Sequence, residues 1–289
     1  MPRFANLQGK TFLLGIGTQK AGTSWLADYC YEHPEIKFSP IKELHYFDQV
    51  HLPDRFGHYA DYFKVRARDR WAQAESETHP EKLRALWPVV DRLRMNHNPD
   101  AYLEYFDRLA SRGPPVIGEI TPSYCLLPED VLAQVREWLL STGCRLRVVF
   151  LMREPCERFW SQLRYLVGLR RIASAREEFD KALDDSLYLE RSRYDRILTR
   201  LERVFEPAEL SCHFYETLFR QKEIDRFCAF LGISPVAAQF GRSIIPSPRA
   251  PLLPEQRRAL RERFEDVYPA VLRRFGSAVP ELWLASPPA

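Results

Sequence analysis

Short apolar runs alternate with longer amphipathic stretches along most of this chain. The apolar runs predict strands at 12–16, 36–38, 115–120, 147–152 and 210–215. The amphipathic stretches predict helices at 23–31, 128–140, 156–169, 177–205 (interrupted around Asp185) and 255–275, and a further helix that ends at Leu231 with Gly232 as its cap. Strands that alternate with helices are typical of an α/β domain, in which helices cover both faces of a parallel sheet.

The stretch from 59 to 110 departs from this alternation. It is rich in aromatic residues and arginine, its pattern is helical, and it is interrupted at 96–99. Because it separates the second predicted strand from the third, we interpret 55–112 as a helical insertion in a single domain spanning residues 1–289. A stretch rich in Pro, Ser and Arg at 241–254 predicts a long loop before the C-terminal helix at 255–275.

The 289 residues are 45% hydrophobic and 28% charged, an ordinary balance for a soluble globular protein. No apolar run approaches the ~20 residues of a membrane span, and the N-terminus has no apolar signal-peptide core, so we expect a cytoplasmic protein. The net charge of +3 is too small to indicate a nucleic-acid partner. Six scattered cysteines without a C-x-x-C pair predict reduced thiols rather than a zinc site or a disulfide framework.

Candidate chemistry begins at residues 11–26, where a predicted strand, a glycine-bearing loop and a helix start follow one another. Gly17 and Gly22 bracket the loop, Lys20 lies inside it, and Thr23 and Ser24 open the helix. Glycines let a ligand approach the backbone, and the first N–H groups of a helix favour negative charge. The stretch predicts an anion site, and a plain strand–turn–helix with an incidental lysine is the alternative.

This loop differs from the nucleoside-triphosphate loop G-x-x-x-x-G-K-[ST]. The two glycines have that spacing, but Thr23 stands where the lysine belongs, and the lysine of this chain is at position 20. No predicted strand ends in an obvious aspartate for magnesium. These departures weaken the interpretation as a magnesium-triphosphate site, while phosphate binding as such stays open.

A second anion element follows the predicted strand at 147–152. Arg153 stands at the carboxyl end of that strand, where open α/β sheets bind their ligands, and Pro155 begins the next helix. Ser161 lies about two turns along this helix, so Arg153 and Ser161 predict a grip on one phosphate group. The alternative is an arginine paired with a nearby carboxylate and a serine packed within its helix.

Together the two elements resemble the phosphosulfate-binding elements of sulfotransferases that use 3′-phosphoadenosine-5′-phosphosulfate (PAPS). The family's first motif, close to Q-K-[ST/A]-G-T-[ST], is matched by residues 19–24, which read QKAGTS. Its second motif, close to R-x-P-x-x-R-x-x-S, is matched by Arg153, Pro155, Arg158 and Ser161. The resemblance implies a P-loop-like sulfotransferase fold.

Three further segments, in the family's order, extend the resemblance over residues 13–220. Residues 42–48, KELHYFD, are similar to the K-E-x-H-[FY]-F-D segment of heparan sulfate O-sulfotransferases and their bacterial relatives. Residues 118–124, GEITPSY, resemble their E-K-T-P-x-Y segment, and residues 214–218, FYETL, resemble their Y-E-x-L element. One departure is Ile120, which stands where these enzymes carry a lysine that would contact the sulfuryl group or the acceptor.

On the donor side, the resemblance implies PAPS as the cofactor, 3′-phosphoadenosine-5′-phosphate (PAP) as its product, and no metal. Lys20 would stabilise charge on the leaving phosphate, and Arg153 with Ser161 would hold the 3′-phosphate. Trp25 and Tyr194 are either adenine-side aromatics or core residues. The cofactor-binding candidates are Lys20, Ala21, Gly22, Thr23, Ser24, Trp25, Arg153, Ser161, Tyr194 and Arg249, with Arg242 as a further candidate in the same loop as Arg249.

On the acceptor side, the resemblance implies Glu43 as the general base for an acceptor hydroxyl. His45 would lie on the same face of an extended segment, so that both acid–base groups would face the acceptor. Lys42 would add positive potential, and Asp48 would orient His45. The alternative is a surface pair of Glu43 with Lys42 and a core histidine at 45. The acceptor-side candidates are completed by Thr121, Ser123 and Tyr124.

The leading hypothesis is therefore a sulfotransferase that moves a sulfuryl group from PAPS to a hydroxyl of a small-molecule or glycan acceptor by in-line displacement. A P-loop kinase-like phosphotransferase, which would require magnesium, is the first alternative. The second alternative is a non-catalytic nucleotide-binding or interaction module that has the same fold.

Overall fold

The computed structural model describes residues 3–75, 86–111, 113–241 and 250–284. Its centre is a sheet of five strands: β1 (Thr11–Gly17), β2 (Ile36–Phe38), β3 (Val116–Ile120), β4 (Arg145–Met152) and β5 (Leu210–Phe214). Every pairing is parallel, and the order across the sheet is β2-β3-β1-β4-β5. The predicted α/β domain with a parallel sheet flanked by helices is confirmed.

Helices connect the strands and cover both faces of the sheet. Between β1 and β3 lie α1 (Thr23–Glu32), α2 (Phe47–His51), α3 (Pro53–Phe56), α4 (His58–Glu75), α5 (Trp87–Met95) and α6 (Asp100–Ala110). Between β3 and β5 lie a 3₁₀ turn (Pro122–Leu126), α7 (Glu129–Leu140), α8 (Pro155–Gly168), α9 (Phe179–Asp184), α10 (Ser186–Leu189), a second 3₁₀ turn (Glu190–Ser192) and α11 (Tyr194–Val204). After β5 come α12 (Tyr215–Leu218), α13 (Gln221–Leu231), α14 (Pro254–Arg263), α15 (Val267–Phe275), a third 3₁₀ turn (Gly276–Ala278) and α16 (Glu281–Leu284).

Two hydrophobic clusters, one on each face of the sheet, form the core. Phe12 and Leu14 of β1 belong to the cluster that also contains buried residues of α6, α7, α8 and α11. Leu13, between them, belongs to the other cluster, which contains buried residues of α1 and α13. Because β1 is buried on both faces, its sequence is an unbroken apolar run rather than an alternating one.

The main differences from the predicted elements concern helix boundaries. The predicted helix at 255–275 is two helices, α14 and α15, because Pro269 lacks an N–H group and its ring clashes with the carbonyl four residues earlier. The interruption at Asp185 is present, and its side chain accepts a hydrogen bond of 2.8 Å from the backbone N–H of Leu187. The short helices α2 and α3 were not predicted, since neither is long enough to show a helical period.

The predicted insertion contains α4, α5 and α6, and its residues 76–85 and 112 lie outside the described residues, as do Arg242 and Arg249. Helix α6 of this insertion is part of the core. Its Phe106 ring lies 4.7 Å from the Phe12 ring of β1, measured between centroids. Across the described ranges, no helix is both long and apolar enough to cross a membrane.

The carboxyl ends of β1, β3 and β4 lie side by side at one edge of the sheet. The backbone N–H of Thr18, just after β1, donates to the carbonyl of Leu151 in β4 at 2.8 Å. The N–H of Thr121, just after β3, donates to the carbonyl of Gly15 in β1 at 2.9 Å. Because the chain leaves the central strand toward β2 and later returns to form β4 on its other side, this edge is the crevice where such sheets bind ligands.

Candidate active site

The glycine loop between β1 and α1 presents backbone N–H groups at this edge. Lys20 and Gly22 have positive φ angles of 71° and 91°. A Cβ atom on Gly22 would lie 2.9 Å from Cδ2 of Leu218, so a larger residue does not fit without displacement. In the described part of the chain no side-chain cap satisfies the start of α1, which leaves N–H groups of Thr23 and Ser24 available to an anion.

Lys20 is the cation of this loop, and other cations surround it. Its Nζ lies 4.2 Å from the centroid of the Tyr165 ring. Burial, together with the positive charges of Arg153 and Arg164, lowers the pKa of Lys20 to about 8. Three cationic side chains thus converge beside uncapped N–H groups, an arrangement that attracts an anion.

Arg153 follows β4 and is attached to the glycine loop. Its Nη1 donates to the carbonyl of Lys20 at 3.3 Å, and its guanidinium carbon lies 4.5 Å from the Tyr215 ring centroid. The hydroxyl of Tyr194 donates to the Arg153 carbonyl at 2.9 Å and accepts from the Arg153 N–H at 3.3 Å. Tyr194 is itself fully buried. Of its two sequence interpretations the structure favours the core, from which Tyr194 holds the backbone of Arg153.

Trp25, the other adenine-side candidate, also packs in the core. Its side chain is buried, stacks on Phe240 with ring centroids 5.6 Å apart, and meets Phe219 edge-on at 5.2 Å. Its Nε1 donates to the carbonyl of Gln239 at 3.2 Å. Ala21, the neighbouring loop candidate, is fully buried as well, so it offers a ligand its backbone only.

The second motif divides into two roles. Ser161 lies buried on α8, about two turns from its start, and Arg153 stands just before the first turn of this helix. Arg158 is fully buried and faces the protein instead. Its Nη1 donates to Oε1 of Gln162 at 2.8 Å and its Nη2 to the carbonyl of Tyr188 at 2.6 Å. Arg158 therefore anchors the segment before α11 and is not placed to contact a ligand.

On the acceptor side, Glu43, His45 and Asp48 form a chain of contacts. Nδ1 of His45 lies 2.7 Å from Oδ2 of Asp48, and its Nε2 lies 3.5 Å from Oε2 of Glu43. Burial lowers the pKa of His45, but its hydrogen bonds to Asp48 and Glu43 outweigh burial and raise that pKa above 6.5. The His45 ring is also stacked on Tyr59, with centroids 3.7 Å apart. The expected contact of Asp48 with His45 is present, and the salt-bridge partner of Glu43 is His45.

The segment that carries these residues is not extended, which corrects the prediction. Glu43 and His45 have left-handed φ angles of 51° and 48°, while Leu44 between them is fully buried. The two side chains meet because two left-handed residues curve the backbone, not because they share a strand face. Such conformations are costly for residues other than glycine, and they cluster at functional sites. Lys42, at the start of the segment, is exposed.

Thr121 and Tyr124 are fully buried, so they do not line an open acceptor site. They hold the catalytic segment instead. The Tyr124 hydroxyl accepts from the Tyr46 N–H at 3.0 Å, and Oγ1 of Thr121 lies 3.5 Å from the His45 N–H. Ser123, beside them, donates its hydroxyl to the buried carboxylate of Asp48. The acceptor-side prediction is therefore corrected to a supporting role for these residues.

Glu119 in β3 is a buried carboxylate to which both Thr121 and Tyr124 are hydrogen-bonded. Its oxygens accept from the hydroxyls of Tyr102 and Thr121, both at 2.7 Å, and of Tyr124 at 3.2 Å. Burial raises the pKa of Glu119 to about 7, although the three hydrogen bonds oppose that rise. The sequence analysis included Glu119 in the segment that resembles E-K-T-P-x-Y but assigned it no role; a further signal was a lone acid in an otherwise apolar strand, residues 116–120.

Ile120 does not supply the cation that the family resemblance led us to expect at its position. Its side chain is buried in the same cluster as α1, where its Cγ1 would lie 2.2 Å from a Cβ atom on Gly15. Ile120 thus fills the space that the missing side chain of Gly15 leaves on β1.

No protein-family model matches the chain. Over 205 residues the chain is 23% identical to carbohydrate sulfotransferase 15 of Mus musculus and to that of Homo sapiens. The alignment covers 64% of this chain and 33% of each relative, so the chain spans about a third of their length. A crystal structure of a sulfotransferase from Alicyclobacillus acidocaldarius matches with a TM-score of 0.65 at 20% identity, covering 94% of this chain and 98% of that one. The chain therefore has the fold of that sulfotransferase, and over 205 residues its sequence is similar to the two carbohydrate sulfotransferases.

Proposed function

We propose that this protein is a PAPS-dependent sulfotransferase that transfers a sulfuryl group to a hydroxyl of a glycan or small-molecule acceptor. The observation that carries the proposal is that Tyr165 connects the glycine loop to Glu43: Nζ of Lys20 lies 4.2 Å from the Tyr165 ring centroid, and burial and the charge of Glu43 raise the pKa of Tyr165. The charge of Glu43 raises the pKa of Lys20 while burial and neighbouring cations lower it. An anion site and an acid–base group at one point are what transfer from an anionic donor to a hydroxyl requires.

The donor side fits the two ends of PAPS. The uncapped start of α1 suits the 5′-phosphosulfate, and Lys20 in the same loop would stabilise charge on the leaving phosphate. Arg153, just before α8, and Ser161, about two turns along it, would hold the 3′-phosphate. Trp25 packs against Phe240 in the core and is not assigned to the ligand.

The acceptor side fits a hydroxyl nucleophile. Glu43 is partly exposed, at 33% of its side chain, whereas Asp48 is fully buried, so Glu43 is the carboxylate that an acceptor can reach. In the reaction, the acceptor oxygen bonds to sulfur as the bond from sulfur to the 5′-phosphate oxygen breaks. The hydroxyl proton passes to Glu43, and the bonding electron pair leaves with PAP.

His45 supports this role of Glu43. With its raised pKa, His45 donates from Nδ1 to Asp48 and from Nε2 toward Glu43. The contact at 3.5 Å between Nε2 of His45 and Oε2 of Glu43 holds the Glu43 side chain in position beside the imidazole. The glycan alternative for the acceptor is supported by the name of the curated relatives, carbohydrate sulfotransferase.

The substitution Glu43→Gln tests the proposal, because it removes the base and leaves the donor side unchanged. We expect kcat to fall by about 1,000-fold and the affinity for PAP to stay within about twofold. The measurement is release of PAP from PAPS, without magnesium, over a panel of sugar, alcohol and phenol acceptors. The control is Glu129→Gln, an exposed residue paired with Arg203. A Glu43→Gln protein that keeps more than a tenth of the wild-type rate would contradict the role of Glu43.

A further inference from the structure

Arg191 carries a half-buried positive charge for which the described residues provide no ion-pair partner. Its Nε is buried without a hydrogen-bond partner, and within the described ranges its guanidinium makes no hydrogen bond and no ion pair. Its guanidinium carbon lies 5.9 Å from the centroid of the Phe56 ring. By contrast, the neighbouring Arg55 is paired with Glu190. A donor left without an acceptor inside a protein is costly, which favours a ligand as the acceptor.

The backbone of Arg191 is attached to the donor loop. Its carbonyl accepts a hydrogen bond of 2.9 Å from the hydroxyl of Thr18, the residue that follows β1. Thr18 is fully buried, and its own N–H is bonded to β4. Arg191 therefore has a fixed position relative to the loop that is proposed to hold the phosphosulfate.

The side chain of Arg191 packs against a ring that neighbours the acid–base group. The Phe56 ring on which it lies is 6.3 Å from the His45 ring and nearly parallel to it, at 24°. Tyr59 stacks on His45, and the charge of Arg191 opposes the rise in the pKa of Tyr59 that burial and the charge of Glu43 cause. Arg191 is thus connected through its backbone to the donor loop, and through Phe56 to the residues proposed to activate the acceptor.

An oxyanion is the ligand that this position fits. A guanidinium offers several N–H donors in a planar fork that matches an oxyanion. The group that passes between the donor loop and Glu43 during transfer is the sulfuryl group, and β3 brings no cation to it, since Ile120 is packed in the core. We infer that Arg191 binds the oxygens of the transferring sulfuryl group and stabilises their charge in the transition state. This inference rests on the proposed function.

The test compares PAPS with PAP, because PAP lacks the sulfuryl group. Wild type, Arg191→Gln, Arg191→Lys and the control Arg203→Gln are titrated with each nucleotide. Acceptor-free hydrolysis of PAPS to PAP and sulfate is measured in parallel. For Arg191→Gln we expect hydrolysis to fall by about 100-fold, PAPS affinity by about tenfold, and PAP affinity to stay within about twofold. Arg191→Lys keeps the charge and should recover part of the hydrolysis rate.

Two results would overturn the inference. The first is hydrolysis and PAPS affinity in Arg191→Gln within threefold of those of Arg203→Gln. The second is an equal loss of PAP and PAPS affinity in both Arg191 variants, which would mean that Arg191 only supports the loop. Failure of the proposed function itself is recognised separately, because the wild-type protein would then bind neither nucleotide.

Discussion

The donor loop at 17–24 and the acceptor segment at 42–48 meet at one edge of the sheet, yet different kinds of contact hold them. The donor loop is fixed mainly by backbone hydrogen bonds: the Thr18 N–H bonds to the Leu151 carbonyl of β4, and the Ala21 N–H donates to the Thr18 carbonyl at 3.3 Å. The Arg153 side chain adds one bond, to the carbonyl of Lys20. The acceptor segment is fixed by side chains from distant elements, among them Tyr124 and Arg92. A site built from backbone tolerates substitutions nearby, whereas one held by remote side chains depends on each of them.

Substitution of Arg92 is expected to have the largest effect on the acceptor segment while leaving the donor loop intact. It lies on α5 and is buried, and its Nη2 donates to the carbonyl of His45 at 3.0 Å and to Oε1 of Gln49 at 2.5 Å. In Arg92→Met these acceptors lose their partner, so we expect the free energy of unfolding to fall by about 2–4 kcal/mol. We also expect kcat to fall by about 30-fold, since a misplacement at the acid–base group is enough to slow the reaction.

The PAP affinity of Arg92→Met should not change, because the donor loop does not depend on α5. Denaturant unfolding, turnover and calorimetry with PAP measure the three quantities. The matched control is Arg94→Met on the same helix, an exposed residue paired with Glu104, for which we expect a loss below about 1 kcal/mol. An equal loss of PAP affinity and of kcat in Arg92→Met would show that the two sides are not held independently.

The pH dependence of kcat/KM for PAPS tests the donor loop separately from the acceptor segment. Since burial and nearby cations lower the pKa of Lys20 to about 8, its positive charge is lost as pH rises through that value. We expect kcat/KM for PAPS to fall above pH 8 by about tenfold per pH unit, because this ratio reports groups of the free enzyme. Lys20→Arg keeps its charge and should remove the fall. A decline at the same pH in Lys20→Arg would assign it to another group.

The smallest expected effect is that of Tyr194→Phe. Its hydroxyl holds both backbone groups of Arg153, and its loss is worth about 1 kcal/mol, or about a fivefold weaker affinity for PAP. Calorimetry with PAP measures this, with Tyr31→Phe, exposed on α1, as the control. An effect as large as that of removing the Arg153 side chain would mean that Tyr194 contacts the ligand directly, as an adenine-side residue.

The contrast between the two sides also explains what the sequence could predict. The glycine loop and Arg153 follow apolar strands directly, so local pattern placed both at the sheet edge. The left-handed conformation of Glu43 and His45 could not be predicted, because it is accompanied by hydrogen bonds from Arg92 and Tyr124 that are remote in sequence.

The roles of single buried residues were equally beyond local pattern. The sequence cannot distinguish an adenine-side role from a core role for Trp25 or Tyr194. The stacking of Trp25 on Phe240 and the hydrogen bonds of Tyr194 with Arg153 favour the core role for both. Arg191 belongs to no motif. Its importance lies in the absence of a partner among the described residues, which only a three-dimensional structure shows.

The measurement that tests the central proposal most directly is calorimetric titration with PAP in the absence of magnesium, compared with ATP in its presence. We expect wild type to bind PAP with micromolar affinity and Arg153→Ala to lose about 30-fold or more of it, because a charge-assisted hydrogen bond to phosphate is removed. Binding of ATP with magnesium but not of PAP would contradict the sulfotransferase proposal and favour a phosphotransferase. Binding of neither nucleotide would favour a non-catalytic module with the same fold.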